Sequence, residues 1–196
     1  MRSSKFSRWF LLFLLLALPG RMDAAEFSID FEGLTPDLPG WSAQFTDENN
    51  KAEYRSASKW DVPMVFRLEG DRPHAGLKCL QWEITGKIGG LASIRPPLVP
   101  VTDREVSVSF YVRSRGFSEE GMLSVDEMKD GKDRLKIHWN VARIPVGDQW
   151  EKVEWKAVLD PATTILRVSF SFKTPPAGAS FWLDDLYVAG IVGDYR

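Results

Sequence analysis

Regular alternation of apolar and polar residues constrains the fold of this chain more than any other feature of its sequence. In the stretch 106–113, for example, valine and phenylalanine occupy every second position. A period of two places the apolar side chains on one face of a β-strand and the polar ones on the other. We find no convincing amphipathic helix longer than a turn or two, so the pattern predicts an all-β protein. The alternating stretches are residues 27–31, 80–85, 106–113, 135–141 and 166–173.

Turn signals separate these stretches. The sequence Lys129-Asp130-Gly131-Lys132 predicts a hairpin between residues 122–128 and 135–141, because Asp-Gly accepts the positive φ angles that tight hairpin turns need. Pro-containing pairs interrupt other stretches, since proline cannot donate a hydrogen bond to a sheet. Many short strands with such breaks predict an antiparallel β-sandwich of the jelly-roll type.

The N-terminus has the organisation of a secretory signal peptide. A basic segment, residues 1–8, precedes an apolar run at 9–18 and then Pro19-Gly20. The alternative is an uncleaved anchor. We expect a signal peptide at 1–25, a β-sandwich domain at 26–190, a short C-terminal tail at 191–196, and a secreted or periplasmic location. No second long apolar run follows, which predicts no membrane span in the mature protein.

Charge and cysteine content exclude some classes of protein. The formal net charge is −2, whereas nucleic-acid binding requires a basic face, so we expect no nucleic-acid partner. Cys79 is the only cysteine and forms no internal disulfide. It is interpreted as a small buried apolar residue, with a free thiol as the alternative.

Four of the eight tryptophans lie in phase with aliphatic neighbours, so we expect them in the core. They are Trp82, Trp139, Trp155 and Trp182. Polar and aromatic residues out of phase with the core are better candidates for ligand contacts. If their strands share one sheet, they form a polar outer face that suits a glycan, although a plain solvated sheet has the same pattern. The candidate ligand-binding residues are Tyr111, Arg113, His138 and Asn140, together with Tyr54 and Trp60 from the region 49–61.

A pair of carboxylates interrupts the apolar stretch 181–188. Alternation places Asp184 beside Trp182 and Leu186 on one face, and Asp185 with Leu183 on the other. A carboxylate among core side chains must be neutralised, hydrogen-bonded or bound to a cation. The pattern therefore indicates an ion site at Asp184 and a solvated Asp185.

The order of several short motifs resembles the carbohydrate-binding modules of the galactose-binding-like jelly roll, nearest to families four, nine and twenty-two. The resemblance covers nearly the whole chain after the leader and implies a calcium-stabilised β-sandwich that binds glycans. The motifs are Phe31-Glu32-Gly33, Gly40-Trp41, the segments 74–80 and 106–113, Asp148-Gln149-Trp150, and the closing segment 181–188.

Members of that group commonly hold a structural calcium ion between the first and last strands. Carried over by position, the resemblance implies Glu32 and Asp184 as Ca²⁺ ligands, since calcium prefers oxygen donors. The alternative is that both carboxylates accept hydrogen bonds from backbone amides or pair with a nearby lysine or arginine.

Catalytic motifs are absent from the sequence. The chain has two histidines, His74 and His138, and no spacing typical of a zinc site, a nucleophile elbow or a phosphate-binding loop. A polysaccharide hydrolase or lyase needs two carboxylates across a cleft, for which Glu83 and Glu154 are the outward-facing candidates.

The sequence thus favours a non-catalytic, secreted or periplasmic polysaccharide-binding module. The first alternative is an envelope protein that uses the same fold to bind another protein. The second is a small polysaccharide-active hydrolase or lyase.

Overall fold

The computed structural model describes residues 26–29, 31–47, 49, 51–60 and 63–191. The predicted signal peptide at 1–25 and residues 192–196 of the predicted tail lie outside the described residues. Within those ranges, no helix has the length and apolar character needed to cross a bilayer. One short 3-10 helix, Ala57–Lys59, accompanies thirteen β-strands. The strands are β1 (Glu26–Ile29), β2 (Ser42–Thr46), β3 (Ala52–Ser56), β4 (Met64–Glu69), β5 (Cys79–Ile84), β6 (Leu91–Arg95), β7 (Val99–Pro100), β8 (Glu105–Arg115), β9 (Gly121–Lys129), β10 (Asp133–Ile144), β11 (Glu151–Val158), β12 (Ile165–Lys173) and β13 (Ser180–Ile191).

The strands form two antiparallel sheets that pack face to face. The first sheet has the order β11-β8-β13-β5-β4, with β1 beside the C-terminal half of β13. The second has the order β10-β9-β12-β6-β2-β3, with β7 beside the start of β12. Strands that follow each other in the sequence are often not neighbours in a sheet, as in a jelly roll. The predicted antiparallel β-sandwich is confirmed.

Aromatic rings fill the space between the sheets. The ring centroids of Phe110, from the first sheet, and Phe170, from the second, are 4.8 Å apart and meet edge to face. Phe172 contacts both Phe181, at 5.3 Å, and Trp82, at 5.9 Å. Edge-to-face contacts add to the burial energy of each ring, so this cluster fixes how the sheets sit on each other. The predicted core position of Trp82 is confirmed, because its side chain is fully buried.

The predicted hairpin between β9 and β10 is also confirmed. Strand β9 ends at Lys129 and β10 begins at Asp133. Asp130 and Gly131 take φ angles of 54° and 71°, the left-handed values that the Asp-Gly pair accepts.

Strand β10 follows the opposite phase from the one that its sequence predicts. Ile137 lies opposite Asp126 on the outer face, and His138 lies opposite Val125 towards the interior. The pairing has already shifted between Arg134 and Lys136, so Trp139, like Ile137, lies on the outer face and is 71% exposed. A second shift, between His138 and Ala142, contains Asn140, whose φ is 50°. The prediction that Trp139 belongs to the core is therefore wrong.

Strand β13 contains a second bulge, at Asp185, whose φ is 49°. The extra residue lets Leu183 and Leu186 both face the core, whereas strict alternation assigns them to opposite faces. Trp182 is buried on the outer face of the first sheet, beside Arg113, and the prediction of a core position for it is wrong. The ring of Trp155 is partly buried and packs against the core.

The free thiol of Cys79 is fully buried and lies 3.7 Å from the carbonyl oxygen of Glu69. Burial and the nearby Asp184 carboxylate raise the pKa of Cys79 to about 12. The thiol is therefore neutral at ordinary pH, as expected for a small buried apolar residue.

The aromatic cluster generates a prediction about stability. Replacing the fully buried Phe170 with alanine leaves a cavity between the sheets, and we expect a loss of about 3–5 kcal/mol in the free energy of unfolding. Val158→Ala, at a side chain that is 61% exposed, should change it by less than about 0.5 kcal/mol. Urea unfolding measures both, and equal effects would contradict this account of the core.

Candidate functional site

The two outer faces of the sandwich differ in how much of them is accessible. Residues 70–78 cross the outer face of the first sheet and cover its centre. Arg113 lies beneath this segment, 3% exposed, and donates a hydrogen bond of 3.0 Å to the carbonyl of Asp71. Its guanidinium also stacks on Trp182, 4.3 Å from the ring centroid. The predicted ligand residue Arg113 thus holds the covering segment, and solvent barely reaches it.

Tyr111 has a similar structural role. Its ring stacks on that of His74, with centroids 3.4 Å apart, and the Nδ1 atom of His74 lies 2.8 Å from the Asp185 carboxylate. Alternation predicted a solvated Asp185, whereas this carboxylate is ion-paired with or hydrogen-bonded to His74. Tyr111 and Arg113, the two ligand residues predicted on β8, thus hold residues 70–78 on the first sheet.

The predicted calcium ligands anchor the same segment. Asp184 is 1% exposed and accepts hydrogen bonds from the amides of His74, at 2.9 Å, and Ala75, at 3.2 Å. Glu32 accepts the amides of Leu77, at 2.5 Å, and Lys78, at 2.9 Å, on one oxygen.

Gly76 makes this close approach possible. It has a φ of 63°, and a Cβ atom there would overlap the Glu32 carboxylate. A larger residue at position 76 would therefore push the segment away from Glu32.

These contacts do not fit a calcium site. Calcium takes six to eight oxygen donors, whereas the segment turns N–H groups towards Glu32 and Asp184. Among the described residues, no three His, Cys, Asp or Glu side chains lie close enough together to hold a metal. The geometry matches the amide-bonded alternative, and metal removal tests the calcium ligands that the resemblance implies.

We call the outer face of the second sheet the serine face, and its two edges are exposed at Tyr54 and Trp139. One row of cross-strand partners runs across six of the seven strands, all except β7, and its centre consists of small polar residues. Ser93 and Ser171 hydrogen-bond each other at 2.7 Å, and both are nearly buried because larger side chains flank them. From edge to edge the row is Tyr54, Gln44, Ser93, Ser171, Met122 and Arg143.

A second row lies beside the first. Ser169 accepts a hydrogen bond of 3.2 Å from Nε of Arg95, and Ser124 lies opposite Ser169. The small serines leave a shallow floor between larger residues at the edges of the sheet. A pocket of about 280 Å³ at one end of this face is lined by residues that include Met122, Asn140 and Arg143.

Exposed aromatic rings stand at the two edges of the serine face. Tyr54 on β3 is 61% exposed, and Trp139 on β10 is 71% exposed. Five strand spacings separate these edges, roughly 24 Å. Trp139 is the site residue that the alternation pattern missed. The shift in pairing between Arg134 and Lys136, which places it on the outer face, has no signal in the alternation pattern.

The remaining predicted ligand residues take different positions. Trp60 is 4% exposed in the core, which corrects the prediction that its ring lies above the sheet. His138 points towards the interior and contacts Glu127 at 2.5 Å. Asn140 is exposed and borders the serine face. Because β8 belongs to the first sheet and β10 to the second, the predicted shared polar face does not exist.

Glu127, the partner of His138, is fully buried. Burial raises the pKa of its carboxyl group, but hydrogen bonds from Thr163, His138 and the amide of Asp160 outweigh burial and leave the pKa below its usual range. The carboxylate therefore joins β9 to β10 and to the loop before β12, which explains why His138 points inward.

The carboxylates proposed for an enzyme lie far apart. Glu83 on β5 pairs with Arg67, and Glu154 on β11 pairs with Lys156. Three strand spacings, roughly 14 Å, separate these strands. Paired carboxyl groups of glycosidases lie about 5–9.5 Å apart, so Glu83 and Glu154 do not form such a pair.

The sequence matches no protein-family model, and comparison with curated proteins gives no match. Solved structures, in contrast, align over most of the chain. A CBM22-1 xylan-binding domain from Paenibacillus barcinonensis aligns with a TM-score of 0.56 at 18% identity, covering 85% of this chain and 95% of that chain. The chain has the fold of the carbohydrate-binding jelly rolls.

Two further structures support this assignment of the fold. The C-terminal family 22 carbohydrate-binding module of Clostridium thermocellum Xyn10B gives a TM-score of 0.52 at 13% identity, covering 87% of this chain and 96% of that chain. The enzymatically active domain of a tailspike protein from bacteriophage CBA120 gives 0.57 at 12% identity, covering 80% of this chain but 20% of that one. The predicted resemblance to the galactose-binding-like jelly roll is confirmed at the level of fold.

The amide contacts of Glu32 and Asp184 predict the response to metal removal. Because backbone N–H groups already satisfy these carboxylates, we expect the same Tm in excess chelator and in millimolar calcium. Thermal unfolding followed by circular dichroism measures this. A Tm that falls in chelator and recovers with calcium would instead favour a metal-bound arrangement, since an ion bound only by the folded state stabilises it.

Asp184 also predicts a pH dependence. Burial raises the pKa of its carboxyl group, although amide hydrogen bonds from Ala75, Asp185 and His74 act in the opposite direction. The folded state therefore favours the protonated acid, and this contribution to stability is lost as pH rises through the raised pKa. Urea unfolding across the acidic range should show the native protein losing stability relative to Asp184→Asn as pH rises. A difference that moves in the opposite direction would contradict the raised pKa.

Proposed function

We propose that this protein is a non-catalytic polysaccharide-binding module whose ligand lies across the serine face. The observation that supports this proposal is a pair of exposed aromatic rings, Tyr54 and Trp139, on opposite edges of a sheet whose centre consists of small polar residues. Sugar rings present apolar C–H faces and hydroxyl edges, so they suit aromatic walls above hydrogen-bonding groups.

The span of the face favours a chain over a single sugar. Roughly 24 Å separates the two edge strands, which is wider than one monosaccharide. Neighbours with the same fold carry the names of xylan-binding and carbohydrate-binding modules, which makes a polysaccharide a reasonable ligand class. The proposal also places the protein outside the cytoplasm, an expectation that rests on the sequence of residues 1–25 alone.

Binding without catalysis fits the charges on this face. Among the described strands of the second sheet, Asp126 is the carboxylate on the outer side, and it is hydrogen-bonded to Arg167 and ion-paired with Arg134. Glu119 and Glu120 line the pocket at one end of this face, but Glu120 pairs with Arg143 and lies six residues along the strand from Asp126, roughly 20 Å away. A hydrolase of the usual type needs a second carboxylate opposite the first.

Affinity electrophoresis in gels that contain neutral and acidic polysaccharides, followed by calorimetry, tests this proposal. We expect Trp139→Ala and Tyr54→Ala each to weaken binding about fivefold, because each removes one ring contact worth about 1 kcal/mol. The control is Val158→Ala, at an exposed apolar residue on the first sheet, which should bind as the native protein does.

Two results would contradict the proposal. One is the absence of binding to every polysaccharide, which would favour a protein partner in the cell envelope. The other is binding that neither Trp139→Ala nor Tyr54→Ala weakens. Release of reducing ends from a bound polysaccharide would instead favour the enzyme alternative.

A further inference from the structure

The serine face is basic, although the whole chain carries a formal net charge of −2. Arg95, Arg134 and Arg167 lie on it, and Lys173 joins them at the far end of β12 by alternation after the buried Phe172. Asp126 is the carboxylate that faces them among the described residues of this sheet. The excess of positive charge is concentrated on the face that also carries the exposed aromatic rings.

Arg95 is the central cation of this surface. Its side chain is half-buried, and it donates hydrogen bonds from Nε to Ser169 at 3.2 Å and from Nη2 to Gln44 at 2.7 Å. The guanidinium carbon lies 5.6 Å from the ring centroid of Tyr54. Both hydrogen-bond partners are neutral, and among the described residues no carboxylate pairs with Arg95. A half-buried cation without an anion is costly unless a ligand supplies one.

Neighbouring charges strengthen this point. Arg167 lies on the same face of β12 as Ser169, two residues from this partner of Arg95, and burial and the Arg167 cation lower the pKa of Arg95. Asp126 does not compensate for both of them. It accepts a hydrogen bond of 2.9 Å from Nε of Arg167 and also lies 3.3 Å from Arg134, so one carboxylate is shared by two arginines. The centre of the serine face therefore keeps a net positive charge.

The outer face of the first sheet provides a contrast. Arg67 pairs with Glu83 at 2.7 Å, and Lys156 pairs with Glu154 at 3.0 Å. Arg67 and Lys156 therefore each have a carboxylate partner on the same or the neighbouring strand, which Arg95 does not have among the described residues.

Building on the proposed function, we propose that the ligand of the serine face is an anionic polysaccharide. Its carboxylate or sulfate groups pair with Arg95 and its neighbour Arg167, while its sugar rings contact Tyr54 and Trp139. A guanidinium group presents two parallel N–H donors to such anions and keeps its charge when partly buried.

Polygalacturonate and its fully methyl-esterified form test this directly, because they share a backbone and differ in charge. We expect at least tenfold tighter binding to the acid form in calorimetry, with an affinity that falls as salt is raised from low to physiological concentration. Arg95→Gln should weaken binding of the acid form at least tenfold and reduce the ratio between the affinities for the acid form and the ester. Arg134→Gln, at a side chain that is 47% exposed, should weaken it less and provides a second variant if Arg95→Gln does not fold.

Dextran sulfate and neutral dextran form a parallel arm that distinguishes sulfate from carboxylate as the recognised anion. Arg67→Gln is the matched control, because it removes an arginine from the first sheet and should leave every affinity unchanged.

Equal affinity for a polymer and its neutral form would overturn the inference and leave the proposed function standing. Absence of binding to all four polymers and to the neutral and acidic polysaccharides of the electrophoresis screen would overturn both. An affinity for a DNA oligonucleotide equal to that for the anionic polysaccharide would also overturn the inference. Charge without contacts to the sugar rings of a polysaccharide would then account for binding.

Discussion

Edge-to-face packing of aromatic rings between the two sheets is the interaction on which the rest of this structure depends. Phe110 and Phe170 meet across the interface, and Phe172 and Phe181 extend the contact towards Trp82. Because the rings fill the interior, polar residues on the same strands must point outward. The two outer faces then acquire different roles, one as the support for residues 70–78 and the other as an open surface.

Alternation was enough to predict the strand content, the β9–β10 hairpin and the sandwich. It failed where the pairing of neighbouring strands shifts. A shift between Arg134 and Lys136 puts Trp139 on the outer face, and the bulge at Asp185 lets Leu183 and Leu186 share one face. The alternation of apolar and polar residues does not show where such shifts occur, so the faces predicted for residues 137–139 were reversed.

The candidate site was harder to predict than the fold, because it depends on which strands become neighbours. Tyr111 and His138 are both out of phase with their apolar neighbours, yet they lie in different sheets. Sequence also gave no sign that residues 70–78 fold over β8 and bury Arg113. The serine face is assembled from distant parts of the chain, so its outline required the pairing of all six strands.

The bulge in β10 has a consequence for solubility. Strand β10 lies at the edge of its sheet, where free N–H and C=O groups invite strands of other molecules to pair. An exposed tryptophan on a flat edge strand would add apolar attraction to that hazard. The irregular backbone around Asn140 interrupts the row of hydrogen-bonding groups beside Trp139, and bulges of this kind hinder edge-to-edge association. The irregular backbone beside the exposed ring thus protects the molecule from aggregating through this edge.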